Sequence, residues 1–151
     1  MNFVPSAIGA PGAAYLDASA VVSLYVRERH TERMRQAIEE LQGAATSRIA
    51  YAEARAVFAR MRRERVLSPR AYTATVALFN NEWERFSLVD ITDPLVRSAA
   101  DLAERHPLLG FDALHLASAL RLRGDDVRVT FCCHDARLVA AARSEGFEVV
   151  P

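Results

Sequence analysis

The sequence predicts an α/β fold: a mostly parallel central sheet flanked by helices, with a two-helix hairpin inserted after the second strand. Three observations carry that prediction. Short apolar runs ("AAYLDA", "AATS", "SLVDI", "VRVTFCC" and "FEVV") recur along the chain, several rich in β-branched and aromatic residues. Helical patterns with recognisable start and stop signals separate them, as parallel strands require for their crossovers. Residues 48–86 hold two helical patterns in succession with no strand between them, which makes the hairpin.

In order, residues 13–18 read as a buried strand ending at Asp17, and "SAVVSLYVRE" follows as a helix. A second helix is expected from Thr31 to Leu41, closed by Gly43. "AATS" is a brief strand, with Ser47 placed to cap the long helix through "RIAYAEARAVFARMRRER". "LSPRAY" opens the next helix, Ser68 as N-cap and Pro69 in its first turn, and runs to Phe86. After "SLVDI", the segment "TDPLVRSAADLAERH" repeats that signature with Asp93 followed by Pro94. "GFDALHLASALRLRG" is a helix opened near Phe111 or Asp112 and stopped by Gly124. "VRVTFCC" is a strand, Asp135 caps "ARLVAAARSEG", Gly146 stops that helix, and "FEVV" is the last strand.

The 151 residues fit one domain over 13–151, preceded by a flexible Pro- and Gly-containing lead-in over 1–12. No apolar run reaches the roughly 18 residues of a membrane span, and no basic start with an apolar core marks a signal peptide. Two adjacent cysteines make no disulfide framework, so a cytoplasmic setting is expected. The 19 basic and 19 acidic residues cancel, and every basic residue is arginine. The missing lysine removes phosphate-loop, Schiff-base and kinase-type chemistries. Arginine suits planar, bidentate contact with phosphate.

Ligands of open parallel sheets sit outside the carboxyl ends of the strands. Asp17 closes the first strand there, and Asp135 follows "VRVTFCCH". Asp112 lies in the first turn of the helix that leads to that later strand. Glu53 sits within a helix among Ile49, Ala50, Ala52, Ala56 and Val57, an unusual place for a solvated charge. Each acid also has a plain structural reading: a turn residue for Asp17, N-caps for Asp112 and Asp135, an ion pair with Arg48 or Arg55 for Glu53. Four carboxylates packed together could not all stay ionised without a cation, because like charges raise each other's pKa. Oxygen-only ligands select Mg²⁺ or Mn²⁺, and such a site activates water against a phosphodiester.

These segments, "YLDASAVVSLYVRE", "TSRIAYAEARAVFAR", "LLGFDALHLASAL" and "FCCHDARLVAAARSEGFEVV", in this order and spacing, resemble a PIN-domain ribonuclease, specifically a VapC-type toxin of a type II toxin–antitoxin system. The resemblance runs from Tyr15 to Val150. It implies a PIN-like (Rossmann-like) fold and an endoribonuclease that uses Mg²⁺ or Mn²⁺. A metal-activated water would leave 5′-phosphate and 3′-hydroxyl ends. The family's acidic quartet carries over to Asp17, Glu53, Asp112 and Asp135, with Asp17 and Asp112 as principal metal ligands. Ser19 would assist at the metal or the scissile phosphate. The resemblance further implies a homodimer and a cognate VapB-like antitoxin whose C-terminal segment fills the groove beside the acids. In one departure, Cys133 stands where the family usually has Thr or Ser two residues before the last Asp. A thiol is a poorer partner for a hydrated hard cation.

Other features have weaker claims. His115, three residues after Asp112, shares its helix face and reads as structural or as orienting that acid or the substrate phosphate. Arg60, Arg62 and Arg63 in "RMRRER" are candidates for RNA backbone contact, weighed against a solvated helix face. Tyr72, Phe79, Trp83 and Phe86 recur near helical spacing, as packing rather than base stacking. Cys132, Cys133 and His134 do not make a zinc site: neighbours on a strand point to opposite faces, and no second ligand pair stands at zinc spacing. A receiver domain and a haloacid-dehalogenase-like phosphatase both need a lysine. The alternative that remains is an inactive PIN-like protein that only binds an antitoxin in a repressor complex.

Overall fold

The structure, a computed structural model, describes residues 12–27, 31–41, 43–123 and 127–151. Apart from Gly12, the expected lead-in lies outside the described residues, as does the helix stop at Gly124. Among the described residues are five strands: β1 (Gly12–Leu16), β2 (Ala44–Ser47), β3 (Ser87–Val89), β4 (Arg128–Cys132) and β5 (Glu148–Val150). They form one sheet in the order β3-β2-β1-β4-β5. Every pairing is parallel, so the sheet is more uniform than the expected mostly parallel one.

Among the described residues, seven α-helices connect them: α1 (Ala18–Tyr25), α2 (Thr31–Glu39), α3 (Ile49–Arg63), α4 (Pro69–Glu82), α5 (Asp93–Arg105), α6 (Gly110–Leu122) and α7 (Ala136–Ser144). Alternation along the strands sorts the core into two layers. Ala14, Leu16 and Cys132 pack with α1–α4, whereas Tyr15, Phe131 and Cys133 pack with α5–α7. Both cysteines are fully buried free thiols on opposite faces, which rules out their joint use as zinc ligands. Burial pushes the Cys132 thiol up to about 12.

The inserted hairpin is α3 with α4, held by aromatic packing. Phe79, fully buried, meets Tyr25, Tyr51, Phe58 and Trp83 at centroid distances of 5.2–5.6 Å. Phe79 and Phe86 belong to the core beneath the hairpin, so those two aromatics are packing residues. The second helix of the hairpin ends at Glu82, short of Phe86; residues Trp83–Arg85 tighten into a 3-10 turn.

Caps agree with the sequence where the signal is unambiguous. Ser68 accepts from the Ala71 N–H at the start of α4, and Asp135 accepts from the Arg137 and Leu138 N–H groups at the start of α7. Two expected caps shift by one residue. Arg48, in helical conformation, precedes α3 without a side-chain cap, and Ser47 Oγ stands 3.5 Å from the Ile49 nitrogen. Thr92 rather than Asp93 caps α5, accepting from Leu95 N–H, which moves Asp93 and Pro94 into the first turn.

Helix α7 closes with paired bonds from Gly146 N–H to the Arg143 carbonyl and from Phe147 N–H to the Ala142 carbonyl, with Gly146 at φ 85°. Helix α3 closes in the same pattern, Arg65 N–H to Arg62 and Val66 N–H to Met61, but with an arginine at φ 60° in the left-handed position.

Candidate active site

Strand order reverses at β1: β2 and β3 lie to one side of it, β4 and β5 to the other. In open parallel sheets ligands sit at such a switch point, here outside the carboxyl ends of β1 and β4. Leu16 pairs with Cys132, so Asp17 and Cys133 leave the sheet side by side, and Asp17 N–H donates to the Cys132 carbonyl at 3.1 Å.

Asp17 is 6% exposed and caps α1. Its Oδ1 accepts from the Ala20 N–H (2.8 Å) and from the Ser19 hydroxyl (2.7 Å). Ser19 Oγ in turn accepts from the His134 N–H at 3.1 Å, which ties the turn after β1 to the turn after β4. Burial holds the Asp17 carboxyl above its ordinary range, against the opposing influence of His115, the Ala20 and Ser19 bonds, and His134.

Asp112 stands in the first turn of α6, where Leu109 is the cap residue; the plain N-cap reading of Asp112 therefore does not hold. Its carboxyl is raised by burial and then by the charge of Asp135, with Glu53 adding to the effect and His115 and Arg137 opposing it. Asp135 caps α7, as its plain structural reading has it, and its charge also acts on Asp112.

The Cys133 thiol shows the convergence. Burial raises its pKa, and the charges of Asp17, Asp135 and Asp112 all push it further up. The charges of three carboxylates from three separate segments are thus felt at one buried thiol beyond the end of β4. Glu53 enters from α3: its Oε2 lies 2.8 Å from His115 Nε2. It pairs with neither Arg48, which engages Asp90, nor Arg55, which donates to the Tyr51 hydroxyl. His115 does not orient Asp112 through a hydrogen bond; its ring nitrogens meet Glu53 and the Tyr15 hydroxyl, the latter at 2.8 Å.

Tyr15 is the residue the linear reading overlooked. Its position two residues before Asp17, on the same strand, is the only trace it leaves in the sequence. Arg60, Arg62 and Arg63 are exposed and lie seven to ten residues beyond Glu53 on α3, roughly 10–15 Å along its axis. They form a basic end to the hairpin rather than part of the carboxylate cluster. Arg62 stacks over the Tyr72 ring at 5.0 Å.

Among the described residues, no group of three or more His, Cys, Asp and Glu stands ready to grip a single ion. Mg²⁺, however, dehydrates reluctantly and commonly takes only one or two carboxylates while keeping its waters. A hard, all-oxygen set in which Asp135 and Glu53 push up the Asp112 carboxyl fits such a partly hydrated cation. Beside Glu53 and Asp112 opens a cavity of about 370 Å³ walled by Leu109, Gly110 and Phe111. Leu109 and Phe111 are 64% and 56% exposed, an apolar lip next to the charged crevice.

The PIN domain family model matches residues 14–131, which takes in Asp17, Glu53 and Asp112. Ribonuclease VapC49 of Mycobacterium tuberculosis is 32% identical over 137 residues, covering 91% of this chain and 94% of that protein. In overall fold the chain is similar to FitAcB from Neisseria gonorrhoeae, with TM-score 0.67 and 16% identity over 91% of this chain and 96% of the other. A toxin–antitoxin complex from Klebsiella pneumoniae superposes with TM-score 0.60 and 19% identity, with the same two coverages.

Proposed function

The chain belongs to the PIN domain family, among its VapC-type members, and from that membership and the carboxylate cluster we propose that it is a metal-dependent endoribonuclease acting as the toxin of a toxin–antitoxin pair. The observation that carries this reading is the placement of Asp17, Asp112 and Asp135 at helix starts around the carboxyl end of the sheet, with Glu53 lining the same cavity as Asp112. Asp17 and Asp112 would hold Mg²⁺ or Mn²⁺, with Glu53 and Asp135 completing the site directly or through water. Such a cation lowers the pKa of water and offsets charge on a phosphate.

The chain's own residues supply the rest. Asp17 is oriented by two donors on Oδ1, so its position does not depend on substrate. Ser19, bonded to Asp17 and to the His134 N–H, would assist at the metal or the scissile phosphate. Asp135, fixed by the first turn of α7, acts on Asp112 and would favour a cation in the crevice. Hydrolysis there would leave 5′-phosphate and 3′-hydroxyl ends. Arg60, Arg62 and Arg63 would contact the RNA backbone, a role that confers affinity without sequence preference.

Partner contacts follow the same reading. A VapB-like antitoxin would place its C-terminal segment over Leu109 and Phe111, beside the acids, and the chain would act as a homodimer. Among the described residues, no helix is long and apolar enough to cross a membrane.

The test is cleavage of mixed cellular RNA with added Mn²⁺, comparing the native chain with Asp17→Asn and Asp112→Asn. The native chain is expected to cut and both variants to fail, with new 5′-phosphate ends detectable by ligation. A native chain that cuts nothing, equal to its variants, would leave the inactive antitoxin-binding reading in its place.

A further inference from the structure

A buried chain of hydrogen bonds links three segments of the crevice. Tyr15 of β1, His115 of α6 and Glu53 of α3 stand in line, with the Tyr15 hydroxyl 2.8 Å from His115 Nδ1 and His115 Nε2 2.8 Å from Glu53 Oε2. Tyr15 is fully buried and His115 is 2% exposed, whereas the Glu53 side chain is 23% exposed at the rim. The chain therefore runs from the core outward and ends on a carboxylate of the candidate site.

Donor and acceptor accounting assigns the tautomer of a neutral ring facing an ionised carboxylate. An ionised carboxylate only accepts, so Nε2 must carry a proton. A neutral ring then leaves Nδ1 as an acceptor, and the Tyr15 O–H is the donor that fills it. Tyr15 itself has little freedom: its ring stacks on Phe131 at 5.3 Å and meets the His115 ring edge-on at 6.0 Å. Ala50, Ala54 and Phe58 of α3 pack in one core layer and Ala113, Leu116 and Ala117 of α6 in the other, so the Glu53–His115 bond joins helices of the two layers.

We propose that His115 is a positioning residue: pinned by the Tyr15 hydroxyl in the tautomer protonated at Nε2, it holds Glu53 in place beside Asp17 and Asp112. A glutamate has three side-chain torsions, and on a helix surface it would sample many rotamers. Held by His115, it presents one carboxylate geometry to whatever the site binds. Histidine suits the task because its two nitrogens can be given opposite roles by their partners. Tyr15 selects the tautomer, and Glu53 is what the selected tautomer holds.

This inference rests on the nuclease reading for its consequence but not for its geometry, and the experiment separates the two. In the metal-free native protein with ¹⁵N-labelled histidine, two-dimensional NMR is expected to show His115 protonated at Nε2 alone. Tyr15→Phe should move the Nδ1 resonance and leave the Nε2 proton in place. In cleavage assays with Mn²⁺, His115→Leu is expected to lose roughly 10–100-fold in activity, mostly in kcat rather than KM. His115→Gln, whose amide can donate from near the Nε2 position, should recover most of that loss. Tyr15→Phe, which deletes one hydroxyl and keeps the stacking, should lose severalfold.

A ring protonated at Nδ1, or at both nitrogens, would overturn the assignment. So would a folded His115→Leu variant as active as the native chain, or a Gln variant no better than Leu. If the native chain cuts no RNA, the nuclease reading falls alone. A ring protonated at Nε2 with a Tyr15-sensitive Nδ1 would still support the brace, and any other protonation state would still overturn it.

Discussion

Asp17→Asn separates the cap role of this side chain from its proposed role as a metal ligand. As the cap of α1, Asp17 accepts from Ala20 N–H and Ser19 Oγ on a single oxygen, and an asparagine oxygen can accept both. Losing such a cap outright costs about 0.5–2 kcal/mol, so Asp17→Ala is destabilising while Asp17→Asn keeps the bonds. What the Asn variant removes is a charge that burial disfavours. Without metal, it is therefore expected to melt at or above the native temperature.

Added Mn²⁺ should reverse the order. A ligand at one hundred times its Kd stabilises the folded state by about 2.7 kcal/mol. At about 2–4 °C per kcal/mol for a chain of this size, the native protein should gain roughly 5–10 °C. The Asn variant should gain little and cut no RNA. Thermal melts with and without Mn²⁺, followed by circular dichroism beside the cleavage assay, measure all three quantities. A variant that melts several degrees below native without metal, or shifts as far as native with Mn²⁺, would refute the reasoning.

Asp17 and Asp112 both have carboxyls raised in the folded state, so between the ordinary carboxylate value and the raised one the folded chain binds more protons than the unfolded chain. Their contribution to stability therefore falls as pH rises from about 4 through the raised values, the reverse of a salt-bridged aspartate, and Asp17→Asn with Asp112→Asn should flatten that fall in metal-free melts. Arg65→Gly should raise stability by about 0.5–1 kcal/mol, since glycine relieves a left-handed arginine at the end of α3 while adding some unfolded-state freedom; denaturant titration tests it. Replacing Arg60, Arg62 and Arg63 by Gln should cost about 1–2 kcal/mol at most, because the Arg60–Glu64 pair is exposed and 4.0 Å apart and the Arg62 stack on Tyr72 is an exposed one. If all three touch the RNA backbone, the salt dependence of binding should lose about 0.7 in log–log slope for each contact.

Much of the frame was legible because its causes are local. Ser68 with Pro69, and Asp135 before "ARLVAAARSEG", satisfy N–H groups within three residues of themselves, so the signal and its partner lie in the same short stretch. The two caps that shifted fall where neighbours compete: Thr92 beside Asp93, and Ser47 beside an Arg48 that the chain holds in helical conformation. Local chemistry permits either residue in such pairs, and packing of the helix against the sheet picks one.

The acids divide in the same way. By itself, the sequence determined the alternation of strand and helix, the two-layer core and the positions of Asp17, Asp112 and Asp135 at strand ends and helix starts, because hydrophobic periodicity and capping act over a few residues. It also placed Glu53 on an apolar helix face and Cys133 two residues before Asp135. Only the tertiary structure decided whom these residues meet. His115 is a helical neighbour of Asp112, yet its bonds go to Tyr15, 100 residues away, and to Glu53, 62 residues away. Such partners are chosen by strand order and by the layers that close over the sheet, where a buried imidazole must find a donor and an acceptor wherever the fold brings them.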